Sequence, residues 1–199
     1  MIRAVCFDLM DTVLYDPYRE ALAAAIRAVA PAEIARHRDP TCWPAFETGE
    51  IDEAEFVRRF FREGAEGVSF DIEAFNRVRR AGYRFLPGVR DIVEALEGRA
   101  LRFVASNYPV WVEELRETFA LDVLFEGVYS SHHLRVRKPA REFFDRLVGR
   151  IGVAAGECLF VDDRAENCDA AAAVGMRAHR FDGAAALRER LVSEGLLER

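Results

Sequence analysis

IRAVCFDLMDT, residues 2–12, is the stretch whose reading decides the fold. It opens with IRAVCF, a nearly continuous apolar run, and breaks at Asp8 into a polar turn. A strand with one wet face alternates in polarity, so an unbroken apolar run predicts a parallel strand covered on both sides. Similar runs recur at 100–105 (ALRFVA), 126–130 (EGVYS, weaker) and 157–161 (ECLFV), with a shorter one near 176–181. Helical periodicity fills the gaps. GVRDIVEALE at 88–97 puts Val89, Ile92, Val93 and Leu96 on one stripe, and Val112, Leu115 and Phe119 repeat the pattern behind Pro109. Phe143, Phe144, Leu147 and Val148 mark a helix at 139–151, followed by an Ala-rich one at 166–174 and a last one at 184–194. Strands alternating with helices predict an α/β fold, a Rossmann-like doubly wound parallel sheet.

Residues 16–84 break this rhythm. They read as helical throughout: Asp52 with Glu55 forms a capping-box pattern, followed by Phe56, Val57, Phe60 and Phe61, and Phe70, Ile72, Phe75 and Val78 mark a further short helix. The expected organisation is therefore a core of residues 1–15 and 85–199, with a small helical cap at 16–84 inserted after the first strand. Such an insertion overhangs the carboxyl end of that strand, where open α/β sheets bind their ligands.

The 199 residues carry a formal net charge of −6, with Arg and Glu interspersed. No clustered basic surface speaks for nucleic acid, and no apolar run reaches the roughly 18–20 residues of a membrane span. The N-terminus has only a short apolar run before its first Asp, so neither a signal nor a transit peptide is expected. Cys6, Cys42, Cys158 and Cys168 form no CxxC pair, which fits free thiols in a cytoplasmic protein. The sequence assigns no oligomeric state.

Each polar cluster falls just past an apolar run or ahead of a helix. Asp8 and Asp11 follow the first run, Ser106 and Asn107 the second, and Asp162 and Asp163 the fourth; Lys138 lies in RVRKP at 135–139. Any one of them alone is an ordinary turn or cap residue. Together they fall on one edge of the expected sheet.

These motifs resemble the haloacid dehalogenase-like hydrolase superfamily over nearly the whole chain. FDLMDTVL (7–14) is similar to its nucleophile motif, VASN (104–107) to its second, RKP (137–139) to its third and LFVDDRAENCDAAAAVGM (159–176) to its fourth. FETGEIDEAEF (46–56) and LPGVRDIVEAL (86–96) resemble the small cap and return helix of branches related to the phosphatase domain of soluble epoxide hydrolases. The resemblance implies Asp8 as nucleophile, with Ser106, Asn107 and Lys138 at the phosphate. It places Mg²⁺ on Asp8, Asp163, the Met10 carbonyl and the neighbouring Asp162, and makes the partner a small phosphorylated molecule. A carboxylate attacks phosphorus without prior deprotonation, and a cation must offset its repulsion from an anionic ester.

The match departs from the family at Met10, where phosphatases of this type carry an acid–base Asp. Losing such a group costs on the order of 10²–10⁴ in rate. Several readings stay open: substrates with good leaving groups, Asp11 supplying the proton, or phosphate binding with little turnover. Metal-independent 2-haloacid dehalogenases also lack this Asp, but they do not keep an acidic pair like Asp162 and Asp163.

Among other residues, His132 and His133 are adjacent and on a strand would point to opposite faces, so a shared metal is not expected, and His37 and His179 are isolated. Trp43, Phe46, Phe60 and Phe61 are expected to pack the cap, with Trp43 able to face the site. Tyr15, Tyr18 and Arg36 are candidate specificity positions. Arg137 could add a phosphate contact, Asn167 could orient the acidic loop, and Cys6 reads as inert packing.

Overall fold

The computed structural model describes residues 1–26, 34, 36–62, 65 and 68–198. Its centre is a parallel five-stranded sheet in the order β3-β2-β1-β4-β5. The strands are β1 (Ala4–Phe7), β2 (Leu101–Ser106), β3 (Gly127–Ser130), β4 (Cys158–Asp162) and β5 (Arg177–Arg180). Register pairs Phe7 with Val104 on one side and with Val161 on the other. The α/β doubly wound fold expected from the sequence is thus the observed one.

The period of two sorts the side chains of β1 between two cores. Val5 and Phe7 join Val104, Leu159 and Val161 on one face, while Ala4 and Cys6 join Phe103, Ala105 and Phe160 on the other. All four β1 residues are buried, which is why the strand reads as apolar at every position. The first face is covered by α5 (Val89–Ala95), α6 (Val112–Thr118) and α11 (Ala184–Ser193) through Ile92, Leu115 and Leu187. The second is covered by α9 (Arg141–Ile151) and α10 (Ala165–Ala173) through Phe143, Phe144, Leu147 and Ala171. Pro109 stands just ahead of α6, in a turn where its carbonyl accepts from Val112 N at 3.0 Å, rather than in the first helical turn.

The chain leaves and re-enters this core at one place. Leu14 pairs antiparallel with Phe85; Tyr15 N donates to Arg84 O and Leu86 N to Val13 O, each at 2.9 Å. Between these points the described residues form α1 (Tyr18–Ala25), α2 (Cys42–Glu47), α3 (Glu53–Arg59) and α4 (Ile72–Gly82), and no named strand. The expected 16–84 span also contains residues outside the described set. Asp52 caps α3 by accepting from Glu55 N at 2.8 Å, but the Glu55 carboxylate turns to Arg58, so the capping box is only half made. Asp71 caps α4 in the same way, accepting from Ala74 N at 2.9 Å.

Phe56 and Phe60 supply the apolar face of α3, and an aromatic cluster fills the space beneath it. Phe46 stacks on Phe56 with centroids 4.8 Å apart, and Trp111 of the core inserts edge-on against Phe46 at 4.9 Å. Over Trp111 lies the buried guanidinium of Arg79, 4.1 Å from the ring, which also bridges to Glu114 of α6. The helices of 16–84 are thereby fastened to the sheet domain by packing and charge together.

β3 ends directly in a short helix, α8 (Ser131–Leu134), after α7 (Leu121–Leu124) has led into the strand. His132 and His133 therefore lie on a helix, whose N-cap is Ser130. His133 binds Ser130 N through Nδ1 at 3.1 Å and Glu113 through Nε2 at 2.7 Å, a structural role. No described helix is long and apolar enough to cross a membrane.

Phe56 is fully buried among five aromatic partners. Phe56→Ala should cost about 3–5 kcal/mol through the cavity it leaves. Urea unfolding checks this, and a loss under about 1 kcal/mol would mean that the cluster does not carry the fold.

Candidate active site

Parallel strands present their carboxyl ends on one edge, and four chain segments deliver polar groups there. Asp8 follows β1, and its N–H still pairs with Val161 O at 2.8 Å, so the nucleophile candidate rides on the rigid sheet. Ser106 ends β2 and Asp162 ends β4, both buried. Lys138 arrives from the loop before α9, with 1% of its surface exposed.

A lysine that deep needs its charge met. Lys138 Nζ lies 2.9 Å from Asp8 Oδ1 and 2.6 Å from Asp162 Oδ2. Burial works against its charge, yet the Asp8 and Asp162 carboxylates hold its pKa above that of an ordinary lysine. Its backbone is gripped too: Asn107 Nδ2 donates to Lys138 O at 2.9 Å, and Lys138 N donates to Asn107 Oδ1 at 2.7 Å. The Asn107 amide, expected among the phosphate contacts, therefore serves first to position Lys138.

Asp162 is equally committed. It accepts from Lys138 Nζ, from Arg164 N at 2.9 Å and from Asn167 Nδ2 at 3.0 and 3.1 Å. Asn167 thus orients the acidic loop as the sequence led us to expect. Asp163 is half-buried and faces the cavity. One oxygen from each of Asp8, Asp162 and Asp163 falls within 4.8 Å of the others. Burial, then repulsion from Asp8, Asp162 and Asp11, pushes Asp163 up to about 7. Burial also raises Asp8, against the opposing pull of Lys138.

Three crowded carboxylates facing the Lys138 ammonium leave excess negative charge, and hard oxygen donors of this kind suit a divalent cation such as magnesium. Ser106 Oγ is buried without a hydrogen-bond partner, next to Asp8, so it has a proton to offer an incoming oxygen.

Above these groups lies a cavity of about 340 Å³. Met10 and Asp11 line its floor, and Tyr18, Trp43 and Glu47 reach in from the helices of 16–84. Glu47 is 4% exposed, held by Trp43 Nε1 at 2.5 Å and facing Arg137 Nε at 2.8 Å. Arg137 thus spends its charge on Glu47. Asp16 and Tyr108 also line the cavity from outside every motif quoted, and Glu47 does so from within the 46–56 stretch, where nothing singles it out. Tyr15 points elsewhere, bonded to Glu20, and Cys6 is buried in β1.

The family model for haloacid dehalogenase-like hydrolases matches residues 2–175. The chain belongs to that family. Flavin mononucleotide hydrolase 1 of Arabidopsis thaliana is 31% identical to this hydrolase over 191 residues, 96% of this chain and 76% of that protein. Sesquiterpene phosphatase astK of Aspergillus oryzae is 31% identical over 137 residues, 67% of this chain and 69% of its own. A solved structure, described as a predicted HAD-like family hydrolase from Porphyromonas gingivalis, superposes with a TM-score of 0.79 at 23% identity and full coverage of both chains.

Replacing Lys138 by Met keeps the volume but strands buried carboxylates, so Lys138→Met should cost about 3–5 kcal/mol near neutral pH. Without the ammonium, Asp8 rises further above its unfolded value. The folded variant then holds a proton that the unfolded chain releases, a contribution present at low pH and lost as pH rises. Urea melts at about pH 8 and about pH 5 should show the gap to wild type narrowing at the lower value. A constant gap contradicts the pairing.

Proposed function

We propose that this hydrolase cleaves small phosphate monoesters with Mg²⁺ as cofactor, through an aspartyl-phosphate on Asp8. The observation that carries this reading is the meeting of Asp8, Asp162 and Asp163 within 4.8 Å beside buried Lys138 and unpartnered Ser106. The phosphatase relatives agree with it. So does the retained acidic pair, which a dehalogenase attacking carbon has no use for.

In the first step an Asp8 oxygen bonds to phosphorus while the ester oxygen departs. Ser106 Oγ donates to a phosphoryl oxygen, and the Lys138 ammonium offsets the charge of Asp8 and the ester. Water then attacks phosphorus, the bond to Asp8 breaks, and inorganic phosphate leaves. Asp8, Asp163 and the Met10 carbonyl would hold a magnesium ion, which would supply charge neutralisation and alignment. Asp162 keeps Lys138 in place. The helices of 16–84 act as the cap, excluding water and shaping the leaving-group side of the cavity. Positioning and charge neutralisation supply most of the rate in such transfers.

A panel of phosphate esters together with 2-chloropropionate, with and without magnesium, tests the proposal. Phosphate release should require magnesium and fall by about 10³-fold or more in Asp8→Asn. Magnesium at about 100 times its Kd should add about 2.7 kcal/mol of stability, a shift that Asp163→Asn abolishes. Chloride release without metal would refute the phosphatase reading.

A further inference from the structure

An alkyl phosphate expels a strongly basic oxygen, and its cleavage is slow unless a neighbouring acid protonates that oxygen. Met10, at the floor of the cavity, has no proton to give. The other acids of the cavity can be taken in turn. Asp8 is the nucleophile, Asp162 is spent on Lys138 and Asn167, and Asp163 faces the cation position. Glu47 is tied to Trp43 and Arg137. Burial first of all lifts Tyr18 to about 12 and Tyr108 well above an ordinary tyrosine, which makes both weak acids. Asp11 is exposed, with Oδ1 accepting from Asp16 N at 3.1 Å.

Asp16 remains, and its placement suits the task. It stands where the chain leaves the sheet edge for α1 and lines the same cavity as Asp8, Met10 and Lys138. Its position is fixed from several sides. Asp11 holds its N–H, Tyr15 N just before it is bonded to Arg84 O, and its own Oδ1 accepts from Tyr18 N at 3.0 Å in an Asx turn. The charged and titratable groups around it are Asp8 and Asp11 from the loop after β1, Glu20 and Tyr18 from α1, Tyr83 at the end of α4 and Tyr108 after β2, with the cations Arg38 and Lys138 lining the same cavity. Burial, then the nearby Asp11, Asp8 and Glu20 carboxylates, raises Asp16 to about 6 against the Tyr18 hydrogen bond. A carboxyl in that range is protonated often enough near neutral pH to act as an acid and is still able to take the proton back.

We propose that Asp16 is the general acid–base of this active site, standing in for the group that Met10 lacks. This rests on the phosphoryl-transfer reading given above. As Asp8 bonds to phosphorus and the ester P–O bond breaks, the Asp16 carboxyl gives its proton to the departing oxygen, releasing an alcohol. The resulting carboxylate takes a proton from the water that attacks phosphorus, the Asp8–phosphorus bond breaks, and both aspartates return to their starting states. Protons and bonds balance over the cycle, with no further reactant. The cleavable substrates then include unactivated alkyl phosphates.

Asp16→Asn tests this, because the Asn oxygen still accepts from Tyr18 N while the titratable proton is gone. With magnesium present, kcat/KM for an alkyl phosphate should fall by about 10²–10⁴, and that for p-nitrophenyl phosphate by less than about tenfold. The wild-type alkyl rate should fall as rising pH deprotonates Asp16, and that fall should vanish in the variant. Asp16→Ser, which also offers Tyr18 an oxygen, should show the same selectivity. Equal losses on both esters overturn the proposal. So does a selective alkyl loss in Asp11→Asn with Asp16→Asn matching wild type. If the wild type releases no phosphate even from p-nitrophenyl phosphate, the phosphatase reading itself falls, a failure visible before any variant is made.

Discussion

The molecule is organised around one buried ammonium. Lys138 Nζ sits between Asp8 and Asp162, and all three side chains are nearly or fully out of solvent. An isolated charge at that depth would be prohibitive, so each member is tolerable only because the others are present. That mutual dependence ties together β1, β4 and the loop before α9, which are remote in sequence. Asn107 at the end of β2 and Asn167 on α10 complete the harness, one gripping the Lys138 backbone and the other the Asp162 carboxylate. The parallel sheet matters to function because it fixes where these loops start.

This arrangement separates two tasks within the acidic pair. Asp162 is saturated by Lys138, Arg164 N and Asn167, and acts as a fixed counter-charge. Asp163 is left facing the cavity, and burial together with its anionic neighbours raises it to about 7. A cation placed beside it would relieve that repulsion, so the crowding of the carboxylates favours binding a metal. A site built with two saturated carboxylates would lack that drive.

Much of this was legible in the sequence, for an identifiable reason. Asp8, Ser106 and Asp162 each stand one residue past the end of an apolar run, with Asp163 next to the last, and parallel strands bring such ends together whatever lies between. β3 read weakly because its residues alternate between buried and half-buried, and β5 because much of the short RAHR strand is exposed at the sheet edge. The turn into a helix at His132 and His133, directly after β3, had no signal in the sequence beyond Ser130 as a cap. Glu47, Asp16 and Tyr108 were invisible for a different reason. Asp16 and Tyr108 lie outside every motif quoted, and Glu47, though inside the 46–56 stretch, meets the cavity only because the packing of Phe46, Phe56 and Trp111 seats its helix.

That packing gives the helices of 16–84 a defined seat on the core. Ser131 Oγ donates to Glu47 O at 2.8 Å, and Arg135 Nη1 to Thr48 O and Gly49 O at 3.1 and 2.8 Å. Gly49 has φ +70°, a conformation that side chains rarely adopt, and a Cβ there would lie 2.2 Å from Arg135 Nη1 and displace the guanidinium that grips this turn. Backbone-to-core contacts this close make the seat specific in a way that apolar packing alone does not. The consequence reaches the chemistry through Asp16, which lies on the strap joining the sheet edge to α1. Its burial depends on the seated helices, so its readiness to hold a proton depends on them as well. An acid carried on the floor of the site, at Met10, would be indifferent to the cap. Under the proposed role for Asp16, an acid on the strap would be poised when the cavity is enclosed, and proton transfer would be confined to a substrate shielded from water.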